Sequence, residues 1–217
     1  MSPLDLSLHV VLDPGLCRRM SMVDTAVAAV AGGAGVIQLR DKTASTAQLV
    51  QTGRAIRSAL AGSHARLIVN DDIEAALAIG ADGLHVGQGD LPVRTARDAL
   101  GPGKLLGLSV ESPQQAAAVD PSLVDYAGAS PIFATATKPG HASPVGLVGL
   151  GLIAAASPVP CVAIGGLTAQ DVAAVMAKGA AGIAVVSAVC GQVDPAAAVR
   201  SILDEIHRWR QGNAGAY

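Results

Sequence analysis

The sequence predicts an α/β chain folded as one (β/α)8 TIM barrel domain with eight parallel strands over residues 1–217. Three observations predict it. Short apolar runs alternate with helix-period segments in eight strand–helix units, the number a closed parallel barrel needs. Glycine punctuates the returns from helix to strand in a repeated way. And Asp13-Pro14-Gly15-Leu16 follows the first strand, where a doubly wound open sheet would carry a glycine-rich phosphate loop.

The predicted strands are Leu8–Leu12, Val36–Leu39, Leu67–Val69, Gly83–Val86, Leu105–Leu108, Val124–Ala127, Cys161–Ile164 and Ile183–Val186. They read as unbroken apolar runs because strands of a parallel barrel are covered on both faces. Helical periodicity falls around Thr25–Ala31, Thr46–Leu60, Ile73–Ile79, Val93–Leu100, Pro113–Val119, Val148–Ala155, Ala169–Ala177 and Pro195–Arg208. Gly33-Ala34-Gly35, Gly80-Ala81-Asp82-Gly83 and Gly179-Ala180-Ala181-Gly182 each end a helix and open a strand. The first glycine of each supplies a left-handed helix cap. Ser112-Pro113 and Asp194-Pro195 set a capping side chain before proline at the first helical position.

Composition narrows the function. A length of 217 residues suits a barrel of about 200–250 residues. Net charge is -2 without a basic cluster, which excludes nucleic-acid binding, since phosphate backbones need a concentrated positive surface. Cys17, Cys161 and Cys190 are scattered and read as reduced, buried thiols of a cytoplasmic protein, with neither disulfide frame nor zinc site. The first residues lack the basic and apolar regions of a secretion signal. Residues 142–170 carry no charge, yet a membrane span needs about 20 apolar residues in regular helix. Pro144, Pro158, Pro160 and several glycines break this run into a short helix and a buried strand. No membrane partner is expected.

Loops that follow the strands form the active-site mouth of such barrels, and the polar side chains collect there. After the second strand, alternation puts Gln38, Arg40 and Lys42 on one side and Leu39 and Asp41 on the other. An arginine fork, a lysine point charge and an amide together suit a diphosphate; a solvated strand end with an Arg–Asp pair is the plainer reading. The third strand ends in Asn70-Asp71-Asp72 and the fourth leads through Gly87-Gln88-Gly89 to Asp90. Carboxylates Asp71 and Asp90 on adjacent strand ends can hold Mg2+ while substrate phosphates complete its shell. Asp72 falls at a helix N-cap, and Asp90 could also be a capping residue. His85 reads as a packed core histidine. Ser109 puts a hydroxyl at the mouth or caps a helix. The longest loop, Ser130 to His141, offers Thr135, Thr137 and Lys138 as an anion-gripping flap, with a turn at Pro139-Gly140. His141 could be a base, though an exposed loop histidine is the commoner case. After the seventh and eighth strands, Gly165-Gly166 before the N-cap Thr168, and Val186 before Ser187, match the recurrent monophosphate site of these barrels. Two anion sites would face each other across the mouth.

These residues resemble the thiamine-phosphate synthase family. The motifs are QLRDK (38–42), NDD (70–72), GLHVGQGDLP (83–92), GLSV (107–110), SPIFATATKPG (130–140), AIGGL (163–167) and VVSAV (185–189), in order over nearly the whole chain. The resemblance implies a magnesium-dependent transferase that joins hydroxymethylpyrimidine diphosphate to thiazole phosphate through a pyrimidine cation, releasing pyrophosphate. It assigns Gln38, Arg40, Lys42, Asn70, Ser109 and Lys138 to the pyrimidine diphosphate, with Arg40, Lys42, Ser109 and Lys138 as catalytic residues. It assigns Asp71 and Asp90 to Mg2+, and Thr135, Thr137, Gly166, Val186 and Ser187 to the thiazole phosphate. The family's loop usually reads GPIFPTxTK; Ser130 and Ala134 depart from it here, which bears on loop stiffness more than on ligand chemistry. Two alternatives stay open: a thiazole tautomerase-like isomerase on the same barrel, with His141 as base, and a non-catalytic thiamine-phosphate-binding protein. Neither has a use for both carboxylates. The oligomeric state is not fixed by the sequence.

Overall fold

Continuous apolar runs too short to be helices pair side by side into the barrel wall, as the computed structural model shows for residues 5–135, 137 and 143–213. The strands are β1 (Leu8–Leu12), β2 (Val36–Leu39), β3 (Arg66–Asn70), β4 (Gly83–Val86), β5 (Leu105–Val110), β6 (Tyr126–Ala129), β7 (Cys161–Ile164) and β8 (Gly182–Val185). They pair in sequence order, all parallel, and β1 closes on β8. The helices are α1 (Met22–Ala31), α2 (Thr46–Ala59), α3 (Ile73–Ile79), α4 (Val93–Leu100), α5 (Pro113–Ala117), α6 (Gly146–Ala156), α7 (Val172–Met176) and α8 (Pro195–Gly212). Their apolar faces pack on the strands' outward residues, so Val10, Ile37, Val69, Leu84, Ala127 and Ile183 share one core with Ala26, Ile56, Ala96 and Ile202.

The predicted caps are in place. Gly33, Gly80 and Gly179 all adopt positive φ. The hydroxyl of Ser112 accepts from the Gln115 amide and the carboxylate of Asp194 from that of Ala197. Several boundaries differ from expectation, most by a residue or two. Strand β6 starts two residues later than predicted, because Val124 and Asp125 serve its approach: Asp125 accepts the Leu106 amide at 2.7 Å and the Arg97 guanidinium at 2.7 Å. Helix α1 begins at Met22 because Ser21 caps it. The predicted helix at Ala169–Ala177 is a 3-10 turn (Ala169–Asp171) running into α7.

The uncharged run divides into α6 and β7, as its prolines and glycines require, and among the described residues no helix is long and apolar enough to cross a membrane. All three cysteines are free and buried. Cys17 and Cys190 are neighbours after β1 and β8, and the Cys190 thiol lowers the Cys17 thiol beside it to about 6.

Candidate functional site

A strand's inward residues follow from its register. The pairings Val11↔Gln38, Asn70↔His85, Ser109↔Gly128 and Ile164↔Ala184 put these side chains on one inner surface. At the C-terminal ends of the strands this surface opens into a cavity of about 460 Å3. It is lined on one side by Gln38, Arg40, Lys42, Asn70, Asp71, Asp90 and Ser109, and on the other by Thr135, Thr137, Gly166, Val186 and Ser187. Every site residue predicted from the sequence and described in the structure therefore lines one cavity. Lys138, His141 and the turn at Pro139-Gly140 lie outside the described residues.

On the cationic side, alternation works as expected, since Leu39 and Asp41 face away from this cavity. The Arg40 guanidinium is 3.7 Å from the Asp13 carboxylate at the end of β1. The Lys42 ammonium pairs with the Asp71 carboxylate. Asp71 sits at φ 62°, a left-handed conformation that aspartate and asparagine tolerate better than most residues. That backbone turn aims the carboxylate into the mouth, where it lies within hydrogen-bond reach of Asp90. Burial raises the Asp71 carboxyl above its ordinary value and Asp90 adds to the rise, while the Lys42 ammonium opposes both. Two carboxylates held together at the cost of desolvation and mutual repulsion suit a cation.

The capping alternatives resolve residue by residue. Asp72 is the N-cap of α3, accepting the Ala75 amide at 2.7 Å. Asp90 does not cap α4, which starts from Pro92 without a side-chain cap; its Oδ2 accepts the Gly87 amide at 2.8 Å within its own loop. Ser109 lies inside β5 and caps nothing; Ser112 does that for α5. Among the described residues no group of three or more His, Cys, Asp or Glu could hold a metal. A magnesium ion needs only one or two protein carboxylates, so Asp71 with Asp90 fits one.

The opposite side is built from backbone. Gly165 (φ 116°) and Gly166 (φ 65°) turn beneath the β6 loop. A Cβ on Gly165 would come within 2.8 Å of Pro131, and one on Gly166 within 2.7 Å of the Ala134 carbonyl oxygen. The amides of Ile132 and Phe133 donate to the carbonyls of Ile164 and Gly165, each at 3.0 Å. So the base of the loop is stitched to β7 despite Ser130 and Ala134. The Thr135 and Thr137 hydroxyls hydrogen-bond each other at 2.8 Å. At β8 a single turn follows the strand, with the Val189 and Cys190 amides donating to the Val186 carbonyl. Helix α8 starts only at Pro195 and is capped by Asp194, so the polar groups at this rim come from the short turn of Val186–Cys190.

The floor holds residues that sequence reasoning passed over. His85 is buried, as expected of a core histidine, but its Nε2 lies 3.0 Å from the Ser109 hydroxyl and its Nδ1 lies 3.1 Å from the Tyr126 hydroxyl. Gln38 lies beside the Tyr126 hydroxyl. The His9 ring packs edge-on against Tyr126 at 5.2 Å. Burial, helped by His85, pushes the His9 imidazole down to about 3, so it is neutral. The only signal in the sequence was a polar residue at an inward position of an otherwise apolar strand.

Comparison with known proteins follows the same outline. The sequence model of the thiamine monophosphate synthase family matches residues 8–189. The thiamine-phosphate synthase of Laribacter hongkongensis is 46% identical over 200 residues, covering 92% of this chain and 94% of that protein. That of Moorella thermoacetica is 44% identical over 203 residues, covering 94% and 97%. Among solved structures, the thiamine phosphate pyrophosphorylase from Pyrococcus furiosus aligns with a TM-score of 0.85 at 32% identity, over 95% of this chain and 98% of that one. A 3-hexulose-6-phosphate synthase aligns over 92% of this chain and 99% of that one with a TM-score of 0.64 at 18% identity, which is a likeness of fold alone. The chain belongs to the thiamine monophosphate synthase family.

Proposed function

We propose that the protein is a thiamine-phosphate synthase, a transferase that joins hydroxymethylpyrimidine diphosphate to thiazole phosphate and releases pyrophosphate. One observation supports the reading: the cationic side chains Arg40 and Lys42 and the glycine turn at Gly165-Gly166 line a single cavity. The relatives' names supply the chemistry.

In this reading Arg40, Lys42 and Lys138 grip the diphosphate and Asn70 helps to hold it. The bond from the pyrimidine methylene carbon to the diphosphate oxygen breaks, and its electron pair leaves with pyrophosphate. Arg40, Lys42 and Lys138 stabilise that growing negative charge, a preorganised electrostatic effect that needs no covalent nucleophile. The thiazole, held by its phosphate at Gly166, Val186, Ser187, Thr135 and Thr137, presents its ring nitrogen to the methylene carbon and forms the new C–N bond. Asp71 and Asp90 would hold Mg2+, which supplies further charge neutralisation on the leaving group. With those carboxylates engaged by the ion, Lys42, now paired with Asp71, would be available to a phosphate oxygen.

The test is to mix purified protein with both substrates and to follow thiamine phosphate and pyrophosphate together. The expected result is one-to-one formation that requires both substrates and Mg2+. Rearrangement of the thiazole phosphate without pyrophosphate would identify an isomerase instead, and binding of thiamine phosphate without turnover would identify a binding protein.

A further inference from the structure

Gln38 on β2 lies beside Tyr126 on β6, whose hydroxyl is hydrogen-bonded to His85 on β4, which in turn reaches the Ser109 hydroxyl on β5. The first and last touch the pocket as substrate contacts in the reading above; the two between have no part in the chemistry as described. We propose that Tyr126 and His85 form a relay that sets hydrogen-bond polarity at both ends of the line, making Ser109 a donor toward the diphosphate and Gln38 an acceptor toward an N–H group of the pyrimidine. The proposal rests on the assignment of Gln38 and Ser109 to the pyrimidine diphosphate.

The polarity follows from counting protons. A neutral imidazole has one donor and one acceptor nitrogen. If Nε2 of His85 accepted from the Ser109 hydroxyl, that serine would offer only lone pairs to an anion, which repels it. The hydroxyl proton is free for a phosphate oxygen only when Nε2–H donates to Ser109 Oγ. Nδ1 is then bare and accepts from the Tyr126 hydroxyl. The phenol oxygen in turn accepts from the Gln38 amide nitrogen, and the Gln38 carbonyl is left facing the pocket. Reversing the Ser109 bond moves the imidazole proton to Nδ1 and so reverses the bond to Tyr126 as well.

The surroundings are shaped for this arrangement. Burial, with Asp125 near, pushes the Tyr126 phenol well above its usual range, so its proton stays in place as a donor. Gln38 beside it acts the other way, as a donor to the phenol oxygen does. Gly107 and Gly128 are the space the rings occupy. A Cβ at Gly107 would strike the Tyr126 ring and His85 Nδ1, and one at Gly128 would lie 3.1 Å from His85 Cε1. The Gln88 side chain donates to the Ser109 carbonyl at 2.7 Å and steadies the far end.

Tyr126 and His85 are thus positioning residues, and the tautomer of His85 is the direct readout. In protein labelled with 15N-histidine, two-dimensional NMR is expected to show His85 protonated at Nε2 and bare at Nδ1, with and without inorganic pyrophosphate. An Nδ1–H tautomer would overturn the relay. Tyr126→Phe keeps the ring in its cradle and is expected to mix the two tautomers and to lower kcat/KM for the pyrimidine diphosphate about tenfold. The KM for thiazole phosphate should not move. His85→Gln, whose amide nitrogen reaches the Nε2 position, should retain more activity than His85→Asn, whose amide reaches the Nδ1 position; the reverse order contradicts the polarity. The tautomer is read without turnover, so a protein that makes no thiamine phosphate refutes the proposed function while the relay is still tested.

Discussion

Asp71→Asn should make the protein more stable and nearly inactive. The substitution is isosteric, and asparagine tolerates the left-handed backbone at φ 62°, so the local fold is kept; alanine there would add strain of about 1 kcal/mol or more. Two effects on stability oppose each other. The exposed Lys42 pair that is lost is worth up to about 1 kcal/mol. What is relieved is the desolvated charge and its repulsion from Asp90, and because the Asp71 carboxyl is raised, relief wins. A net gain of about 0.5–1 kcal/mol is expected, in the range of other relieved functional-site residues. For a chain of this size that is about 1–4 °C in Tm. The sign has a pH signature. A carboxyl with a raised folded-state value costs nothing below the ordinary aspartate value of 3.8, where it is protonated folded or unfolded. The cost grows as pH rises through the folded value and is constant above it. Wild type and variant should therefore melt together in acid and separate toward neutrality. Pyrophosphate release should fall by about 10²-fold or more. A variant that melts lower at neutral pH, or that keeps its activity, refutes this account of the carboxylate pair.

Asp90→Ala is expected to abolish turnover with secondary structure unchanged by circular dichroism, and excess chelator should do the same to wild type; substantial activity in either case would contradict the metal assignment. Lys138→Ala should slow pyrophosphate departure by about 10² or more in single-turnover kinetics, and an unchanged chemical step would reduce Lys138 to a structural residue. Gly166→Ala forces a side chain to φ 65° and against the Ala134 carbonyl. It should cost about 1–3 kcal/mol in denaturant unfolding and raise the KM for thiazole phosphate more than that for the diphosphate.

The barrel was legible because its signals are local. Apolar runs at Leu8–Leu12 and Cys161–Ile164, and left-handed glycines at Gly33, Gly80 and Gly179, each declare themselves within a few residues. The rim was legible too, since strand alternation carried past the end of β2 brings Arg40 and Lys42 to the mouth and turns Asp41 away once the barrel is granted. Where prediction slipped, a neighbour in space decided. Strand β6 begins late because Asp125 is claimed by Arg97 and the Leu106 amide from β5. The short α1 start was there to be read, since Ser21 and Asp24 have the spacing of an N-cap pair. The floor was not. His85 gave no sign of joining Ser109 to Tyr126, because a bond between inward side chains of β4, β5 and β6 depends on register across strands that no local pattern reveals.

The central claim, two separate anion pockets opening on one reaction space, is tested most directly by equilibrium binding of inorganic pyrophosphate with Mg2+ and of thiazole phosphate, each alone and then together. Both ligands are expected to bind at once, with Arg40→Ala weakening only the pyrophosphate and Ser187→Ala only the thiazole phosphate. Mutual displacement, or equal weakening of both ligands by either substitution, would contradict it.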